Sequence, residues 1–352
     1  MRTELFDFHL PEELIALRPA RPRDSARLLV VRGREGALED RSVADLPEIL
    51  AAGDVLVANN SRVLRAALKA TRAAREPGGP EVQLHINLNQ RAGADRWRVF
   101  LRPAKRVRAD DLVVFGNGLE ARVLERGEGG DALLGFNRSG GDLDAAIDAL
   151  GDMPIPPYIA SKRAPDAEDV ADYQTTFARD AGSVAAPTAG LHITDDLRQR
   201  LAESGVPMHF VTLHVNAGTF LPISTATIDH HRMHSETAVL DPETCDAINA
   251  AGAQGGRCIA VGTTALRTLE SAARGGALAP FAGDTDIFIS PGYQFRAIDG
   301  LMTNFHLPRS SLFVLVSALM GLETMQRAYA HAVEKRYRFY SYGDACLLLP
   351  NG

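Results

Sequence analysis

Residues 183–220 read S-V-A-A-P-T-A-G-L-H-I-T, then D-D-L-R-Q-R-L-A-E-S-G, then V-P-M-H-F-V-T-L-H-V-N-A-G-T-F. Two turns of small residues each carry an imidazole, His192 and His214, and a single amphipathic segment and one apolar run lie between them. Thr194 stands at an N-cap position before Asp195 and Asp196, and Gly205 stands where the helix must stop. The spacing predicts a helix over 194–204 and a strand over 206–215 that is apolar on both faces, as a strand covered by helices must be. Small residues in the first turn let backbone amides approach a bound group closely. The stretch therefore predicts both an α/β layer and a site.

Working outward, residues 171–352 alternate predicted helices (242–253, 265–273, 323–337) with predicted strands (258–261, 286–290). That alternation predicts an α/β domain with a mostly parallel sheet. The apolar run 312–320 is too short to cross a membrane and reads as a buried helix. Near the N-terminus, 28–31 and 55–58 read as further strands of the sheet, and 11–17 and 45–50 as short helices. Between 63 and 136 the texture changes to six short β-like runs (63–73, 82–88, 96–101, 112–115, 120–124, 132–136), separated by Gly-rich turns. These predict a small antiparallel six-stranded barrel, residues 63–153, inserted in an α/β domain made of 1–62 and 154–352.

The 352 residues carry a net charge of −6, and the mean hydropathy of −0.09 fits an ordinary soluble globular protein. The first residues lack an apolar signal core, and three widely spaced cysteines form no C-x-x-C, so a cytoplasmic protein with reduced thiols is expected. Residues 60–110 break the average, with twelve bases against four acids. A one-signed excess confined to one segment points to a polyanion partner, although such clusters are often plain solvated surface.

Several other stretches are suited to chemistry. Arg257–Glu270 reads as a strand, a Gly262-Thr263-Thr264 turn and a helix, whose first amides would suit an anion, although a Thr-capped turn reads the same way. His230 and His234 are four apart, but no Glu base and no third metal ligand accompany them. Tyr293 and Phe295 follow a Pro-Gly turn, Asn304 and His306 adjoin another, and Tyr340, Tyr342 and Asp344 surround Gly343. No P-loop, dinucleotide fingerprint or nucleophile elbow is present.

In their order along the chain, F-D-F-H-L-P-E-E-L (from Phe6), G-D-V-L-V-A-N-N-S-R-V (Gly53), R-P-A-K-R (Arg102), M-P-I-P-P-Y-I (Met153) and Y-Q-T-T-F-A (Tyr173) resemble one family nearly end to end. G-S-V-A-A-P-T-A-G-L-H-I-T (Gly182), M-H-S-E (Met233), I-F-I-S-P-G-Y-Q-F (Ile287), T-N-F-H-L-P (Thr303) and Y-R-F-Y-S-Y-G-D-A (Tyr337) continue the match. The family is that of the S-adenosylmethionine:tRNA ribosyltransferase-isomerases of queuosine biosynthesis. Departures are Asn216 where Gly is usual, Ile193 for Phe, Ala265-Leu266 for Ser-Val and Cys346 for Met.

The resemblance implies transfer and isomerisation of the ribosyl unit of S-adenosylmethionine onto 7-aminomethyl-7-deazaguanine at the wobble position of a GUN-anticodon tRNA. Epoxyqueuosine-tRNA, adenine and methionine would be the products, without a metal, and a monomer is expected. Such chemistry asks for a base near C5′ and an acid for the departing adenine. His192, His214, His234 and His306 are the candidates, with Asp24 and Glu236 to orient them or face the sulfonium. Thr188, Gly190, Gly262, Thr263, Thr264, Tyr293 and Asp344 would bind S-adenosylmethionine. Arg62, Arg65, Lys69, Arg102, Lys105 and Arg106 would meet tRNA phosphates. A noncatalytic RNA-binding protein and a metal-dependent hydrolase built on His230 and His234 are the alternatives.

Overall fold

The structure is a computed structural model that describes residues 1–33, 35–216, 223 and 225–351. The Ala217–Phe220 end of the second His-bearing turn lies outside the described residues. In chain order the first strands are β1 Arg27–Arg32, β2 Ala37–Ser42, β3 Val55–Asn59 and β4 Ser61–Val63. The barrel follows with β5 Ala67–Arg72, β6 Val82–Arg91, β7 Arg96–Arg102, β8 Leu112–Gly116, β9 Leu119–Arg126 and β10 Asp131–Phe136. The rest are β11 Asp180–Ser183, β12 Met208–Leu213, β13 Glu236–Leu240, β14 Cys258–Val261, β15 Phe281–Thr285, β16 Gly300–Asn304 and β17 Ala345–Leu349.

Nine strands form one sheet in the order β15-β13-β12-β3-β14-β16-β17-β1-β2. The expected α/β architecture is present, but the sheet is mixed. The block β12-β3-β14-β16 and the β17-β1 pair are parallel, and the other four pairings are antiparallel. Of the strands that make it mixed, β2 and β15 read A-L-E-D-R-S and F-A-G-D-T, in which no apolar run stands out, while β17, A-C-L-L-L, is apolar throughout but lies antiparallel to β16.

The second difference is at 286–290. Ile287 and Ile289 are buried, but the run joins no ladder among the described residues, and the Arg267 guanidinium takes the Ile287 carbonyl instead (Nε to O 3.2 Å). The strand lies just before it, as β15. The expected helix at 11–17 is a single 3₁₀ turn, Glu12–Leu14. Beyond it the chain turns extended, and Leu14 and Ala16 exchange backbone hydrogen bonds with Phe339 (2.7 and 3.1 Å). One isolated turn cannot sustain itself against such pairing.

The barrel is closed in the order β10-β7-β6-β5-β8-β9. Its alternation is legible in β6, where Val82, Leu84, Ile86 and Leu88 point inward and the residues between them outward. Trp97, Val99, Leu101 and Leu134 fill the centre with no exposed surface, each worth roughly 1.5–3 kcal/mol of burial. The chain leaves the sheet after β3, passes through the barrel and returns along β11, which pairs in parallel with β4. Gln174 reinforces this gateway as a backbone mimic, accepting from the Val63 amide (2.9 Å) and donating to its carbonyl (3.1 Å). Among the described residues no helix is long and apolar enough to cross a membrane.

Candidate active site

Parallel strands β3, β14 and β16 end at the same edge of the sheet, where ligands of such folds bind. Thr188, Gly262, Thr263, Thr264, Asn304, His306, Tyr340 and Ser341 line one cavity there. It encloses about 50 Å³, so it seats part of a ligand while the remainder lies outside. A larger cleft of about 600 Å³ opens where β14 and β16 begin, at the opposite edge, and it contains Tyr293. Size favours that cleft, but a helix start, several hydroxyls and the His306 imidazole gather at the small cavity. Tyr293 is thus separated from the rest of the expected binding set, and its hydroxyl donates to the buried Glu270 (2.9 Å).

The Thr263–Ala272 helix begins at this cavity and every residue in it is buried, although six are polar. Four of the six polar side chains have partners. Arg267 pairs with Glu236, Thr268 donates to the Thr264 carbonyl (3.0 Å), Glu270 accepts from the Arg296 and Ala297 amides (3.1 and 3.0 Å), and Ser271 meets Thr285 (2.6 Å). Thr264 Oγ1, by contrast, is buried without a hydrogen-bond partner among the described residues. Gly262, at φ 91°, turns the chain from β14 into this helix. A helix N-terminus with an orphaned hydroxyl beside it is built to receive an anion.

The two imidazoles at this edge differ in their bonding. His192 ends the 3₁₀ turn Thr188–His192, and its Nε2 lies 3.1 Å from Asn304 Nδ2. Since the amide nitrogen donates, Nε2 accepts. Asn304 Oδ1 in turn accepts from Thr188 Oγ1 (2.9 Å). Burial lowers the His192 pKa to about 4, against the pull of Asp344. His306 follows β16; its amide donates to the Tyr329 hydroxyl (3.0 Å) and its Nε2 lies 3.1 Å from Thr303 Oγ1. Nδ1 of His306 has no hydrogen-bond partner among the described residues, and burial lowers this pKa to about 3. Both rings are therefore neutral at ordinary pH.

The other expected residues serve different ends. His214 stands after β12 with Nδ1 buried and without a hydrogen-bond partner among the described residues, packed on Gly182, where a Cβ would come within 2.7 Å of the ring. Burial lowers its pKa, opposed by Asp180, and Arg91 and Asp144 of the barrel side also face it, so it sits where barrel and sheet meet. His234 is exposed in an irregular segment, and His230 ends a separate 3₁₀ turn, so no helix brings this pair together. Glu236, besides its ion pair with Arg267, accepts from the Asn216 amide (3.0 Å). Asn216 donates its side chain to the Ser235 carbonyl (2.8 Å), and its backbone is not left-handed. The pair braces the turn after β12.

Asp24 accepts from Thr194 Oγ1 (3.2 Å) and lies 3.7 Å from Arg200, anchoring the following helix. Asp344 is buried and fully engaged by Arg338 and by the Arg27 amide (3.2 Å). Gly190 is a packing necessity, since a Cβ there would press on Phe177 and Thr175 at 3.0 and 3.1 Å. Asn304, Tyr340 and Ser341 join the cavity without having been singled out as ligand groups. The one sequence hint for the last two was Gly343.

A sequence profile of the family described as queuosine biosynthesis protein matches residues 3–348. The chain belongs to that family. It is 60% identical to an S-adenosylmethionine:tRNA ribosyltransferase-isomerase of Methylobacterium radiotolerans, with 99% of this chain and 98% of the relative covered. It is 58% identical to the protein of the same name from Mesorhizobium japonicum, with the same coverage. It also resembles the crystal structure of an S-adenosylmethionine tRNA ribosyltransferase from Thermotoga maritima, at 34% identity and a TM-score of 0.56, over 98% of this chain and all of that one.

For a queuosine biosynthesis protein the basic segment matters, and it is less bare than its composition suggests. Acids from beyond residue 110 cover much of it. Arg62 pairs with Asp148 (2.8 Å), Arg75 with Asp111 (2.6 Å) and Arg98 with Asp131 (2.8 Å), while Arg91 pairs with Asp144. Lys69 lies 3.7 Å from Asp152, and the Arg65 amide donates to Asp148 (3.1 Å). Arg102, at the end of β7, and Lys105 and Arg106, in the 3₁₀ turn that follows, are exposed and make no ion pair among the described residues. With the half-buried Arg65, whose guanidinium likewise makes no ion pair among the described residues, they carry the uncompensated positive charge of this segment's expected tRNA set.

Proposed function

We propose that the protein transfers and isomerises the ribosyl unit of S-adenosylmethionine onto 7-aminomethyl-7-deazaguanine at the wobble position of GUN-anticodon tRNA, releasing adenine and methionine. The observation that carries the reading is the cavity at the sheet edge. It combines an anion-receptive helix start, a neutral imidazole with a free nitrogen and a chain of oriented amide and hydroxyl groups, in a member of this family. A noncatalytic RNA-binding protein has no use for such a cavity.

In this reading the methionine carboxylate meets the Thr263–Ala272 helix start and Thr264 Oγ1. His306 is the base: with Nε2–H donated to Thr303, Nδ1 presents a lone pair to the cavity. His192 acts through Asn304, holding its amide so that Thr188 is fixed in turn. Residues 1–62 and 154–352 form the catalytic unit, and residues 63–153 form a tRNA-facing one. The enzyme works as a cytoplasmic monomer.

Incubating the protein with S-adenosylmethionine and tRNA bearing the aminomethyl-deazaguanine should give adenine, methionine and the epoxide-bearing nucleoside by mass spectrometry. Bound tRNA with no adenine release would leave only the RNA-binding reading. Thr264→Val, nearly isosteric, should raise KM for S-adenosylmethionine by about tenfold through loss of one hydrogen bond to a charged group, with kcat little changed. An unaltered KM would remove the carboxylate from this helix start. Replacing Arg102, Lys105 and Arg106 together by Ala should weaken tRNA binding and flatten the slope of log affinity against log salt by about 2 to 3. A slope equal to that of the parent protein would move the tRNA surface elsewhere.

A further inference from the structure

Strand β7 reads R-W-R-V-F-L-R, and its alternate residues Trp97, Val99 and Leu101 are fully buried in the barrel. The pleat therefore sends Arg96, Arg98, Phe100 and Arg102 outward. One of these four is an aromatic where the others are arginines. Phe100 is half-buried, and its ring joins neither the barrel core nor any other apolar cluster among the described residues. The packing of the barrel does not require a ring there.

The neighbouring strands complete a face around it. Across β5, β6 and β7, Lys69 stands opposite His85 and His85 opposite Arg102, while Ala67 stands opposite Asn87 and Asn87 opposite Phe100. Thr71 and Gln83, joined by a hydrogen bond (3.0 Å), make the next row. Lys69, His85, Asn87 and Arg102 are exposed, and the three strands contain no acidic residue. Acids meet the face at its margins: Asp131 on β10 pairs with Arg98 (2.8 Å), and Asp152 lies 3.7 Å from Lys69 in a loose, exposed pair. At one end Gln90 of β6 donates to the Ser235 carbonyl (3.3 Å), so the face runs up to the sheet domain beside Glu236.

We propose that this β5-β6-β7 face holds the single-stranded part of the tRNA anticodon loop, with an unpaired base stacked on Phe100 and backbone phosphates on Lys69, His85 and Arg102. The inference rests on the proposed reaction, which acts in that loop. The base on Phe100 is not the reacting one, which has to enter the cavity at the sheet edge. Cations alone would suit any stretch of tRNA backbone. The outward ring narrows the choice, because a duplex hides the faces of its bases and an unpaired base offers one.

The test measures affinity for tRNA bearing the aminomethyl-deazaguanine, over a range of salt, in the parent protein, Phe100→Leu, Phe100→Tyr and the double variant Lys69→Gln with Arg102→Gln. Loss of one stacked base should weaken binding by Phe100→Leu roughly fivefold to a hundredfold, with the slope of log affinity against log salt unchanged. Tyr should bind within about threefold of the parent, since the face of the ring makes the contact. The double variant should flatten the slope by about 1.4, two phosphates at about 0.7 each on a single strand. A fully paired RNA hairpin should bind Phe100→Leu and the parent alike. Undiminished tRNA affinity in Phe100→Leu, an equal loss on the paired hairpin, or a double variant with the parent slope would each overturn the assignment. The double variant changes only exposed side chains, so it decides the surface even where Leu lowers the melting temperature. A parent protein that binds tRNA but releases no adenine sinks the reaction, while these variants still decide the face. No tRNA binding by the parent sinks both.

Discussion

His306→Ala should lower kcat for adenine release by roughly a hundredfold to ten-thousandfold, the usual worth of a positioned acid–base group. KM for S-adenosylmethionine should change only a few-fold, because the carboxylate contacts lie on a different element. A base whose pKa burial has lowered to about 3 looks poorly suited to taking a proton. The obstacle is the cost of creating an imidazolium out of water. In this reaction the proton leaves a carbon beside a sulfonium. As the imidazolium charge appears, the sulfonium charge is neutralised, so the cavity holds one positive charge before and after. The desolvation that lowers the pKa of the empty protein is then largely offset in the complex. It follows that wild-type kcat should show no acid limb near pH 6.5 from this group. Thr303→Val, which removes the partner of Nε2 and frees the tautomer, should cost about tenfold. A His306→Ala enzyme retaining more than about a tenth of wild-type kcat would eliminate His306 as the base.

The difference between His306 and His192 could not be read from the sequence, where both are imidazoles at small-residue turns. What separates them is the third residue each one meets. Asn304 occupies Nε2 of His192, whereas nothing among the described residues occupies Nδ1 of His306. Asn304 reaches His192 only through packing of β16 against the Thr188–His192 turn, which no local pattern encodes, whereas Thr303, the partner of His306, is three residues away in sequence. The barrel was legible because its burial alternates residue by residue, a local signal. The mixed edges of the sheet were not, because β13 and β15 are short antiparallel additions whose pairing depends on neighbours distant in sequence. The polar Thr263–Ala272 helix shows the same limit. Its sequence, T-T-A-L-R-T-L-E-S-A, reads as amphipathic, yet every residue is buried, since Glu236, Tyr293 and Thr285 supply partners from elsewhere in the chain. The local charge excess of residues 60–110 misled for a related reason, because ion pairs form across space and Asp131, Asp144 and Asp148 lie outside any local window.

Lowering the pH from about 7 to about 4.5 should remove on the order of 5 kcal/mol of folding stability through His192 and His306 alone. In the unfolded chain each titrates near 6.5. In the folded protein burial holds the two at about 4 and about 3. Below 6.5 the unfolded chain takes up protons that the folded protein refuses, so protons favour unfolding. The stability these groups contribute is whole above about pH 7 and drains away as the pH falls towards the folded values. Each refused proton costs about 1.4 kcal/mol per pH unit, so two units below 6.5 each histidine accounts for roughly 2–3 kcal/mol. Against a typical total of about 5–15 kcal/mol, that brings the protein near its limit well before the ion-paired carboxylates begin to titrate. Asp54 and Asp169, held low by Arg257 and Arg163, extend the loss only at more acid pH. Urea unfolding at a series of pH values from about 7.5 to 4.5 measures the slope directly. His306→Asn should roughly halve that slope between about pH 6 and 4.5, even where it lowers the stability at pH 7. A stability flat from pH 7 to 5 would mean that both rings accept protons in the folded state, and the free Nδ1 of His306 would then lie open to bulk water instead of a closed cavity.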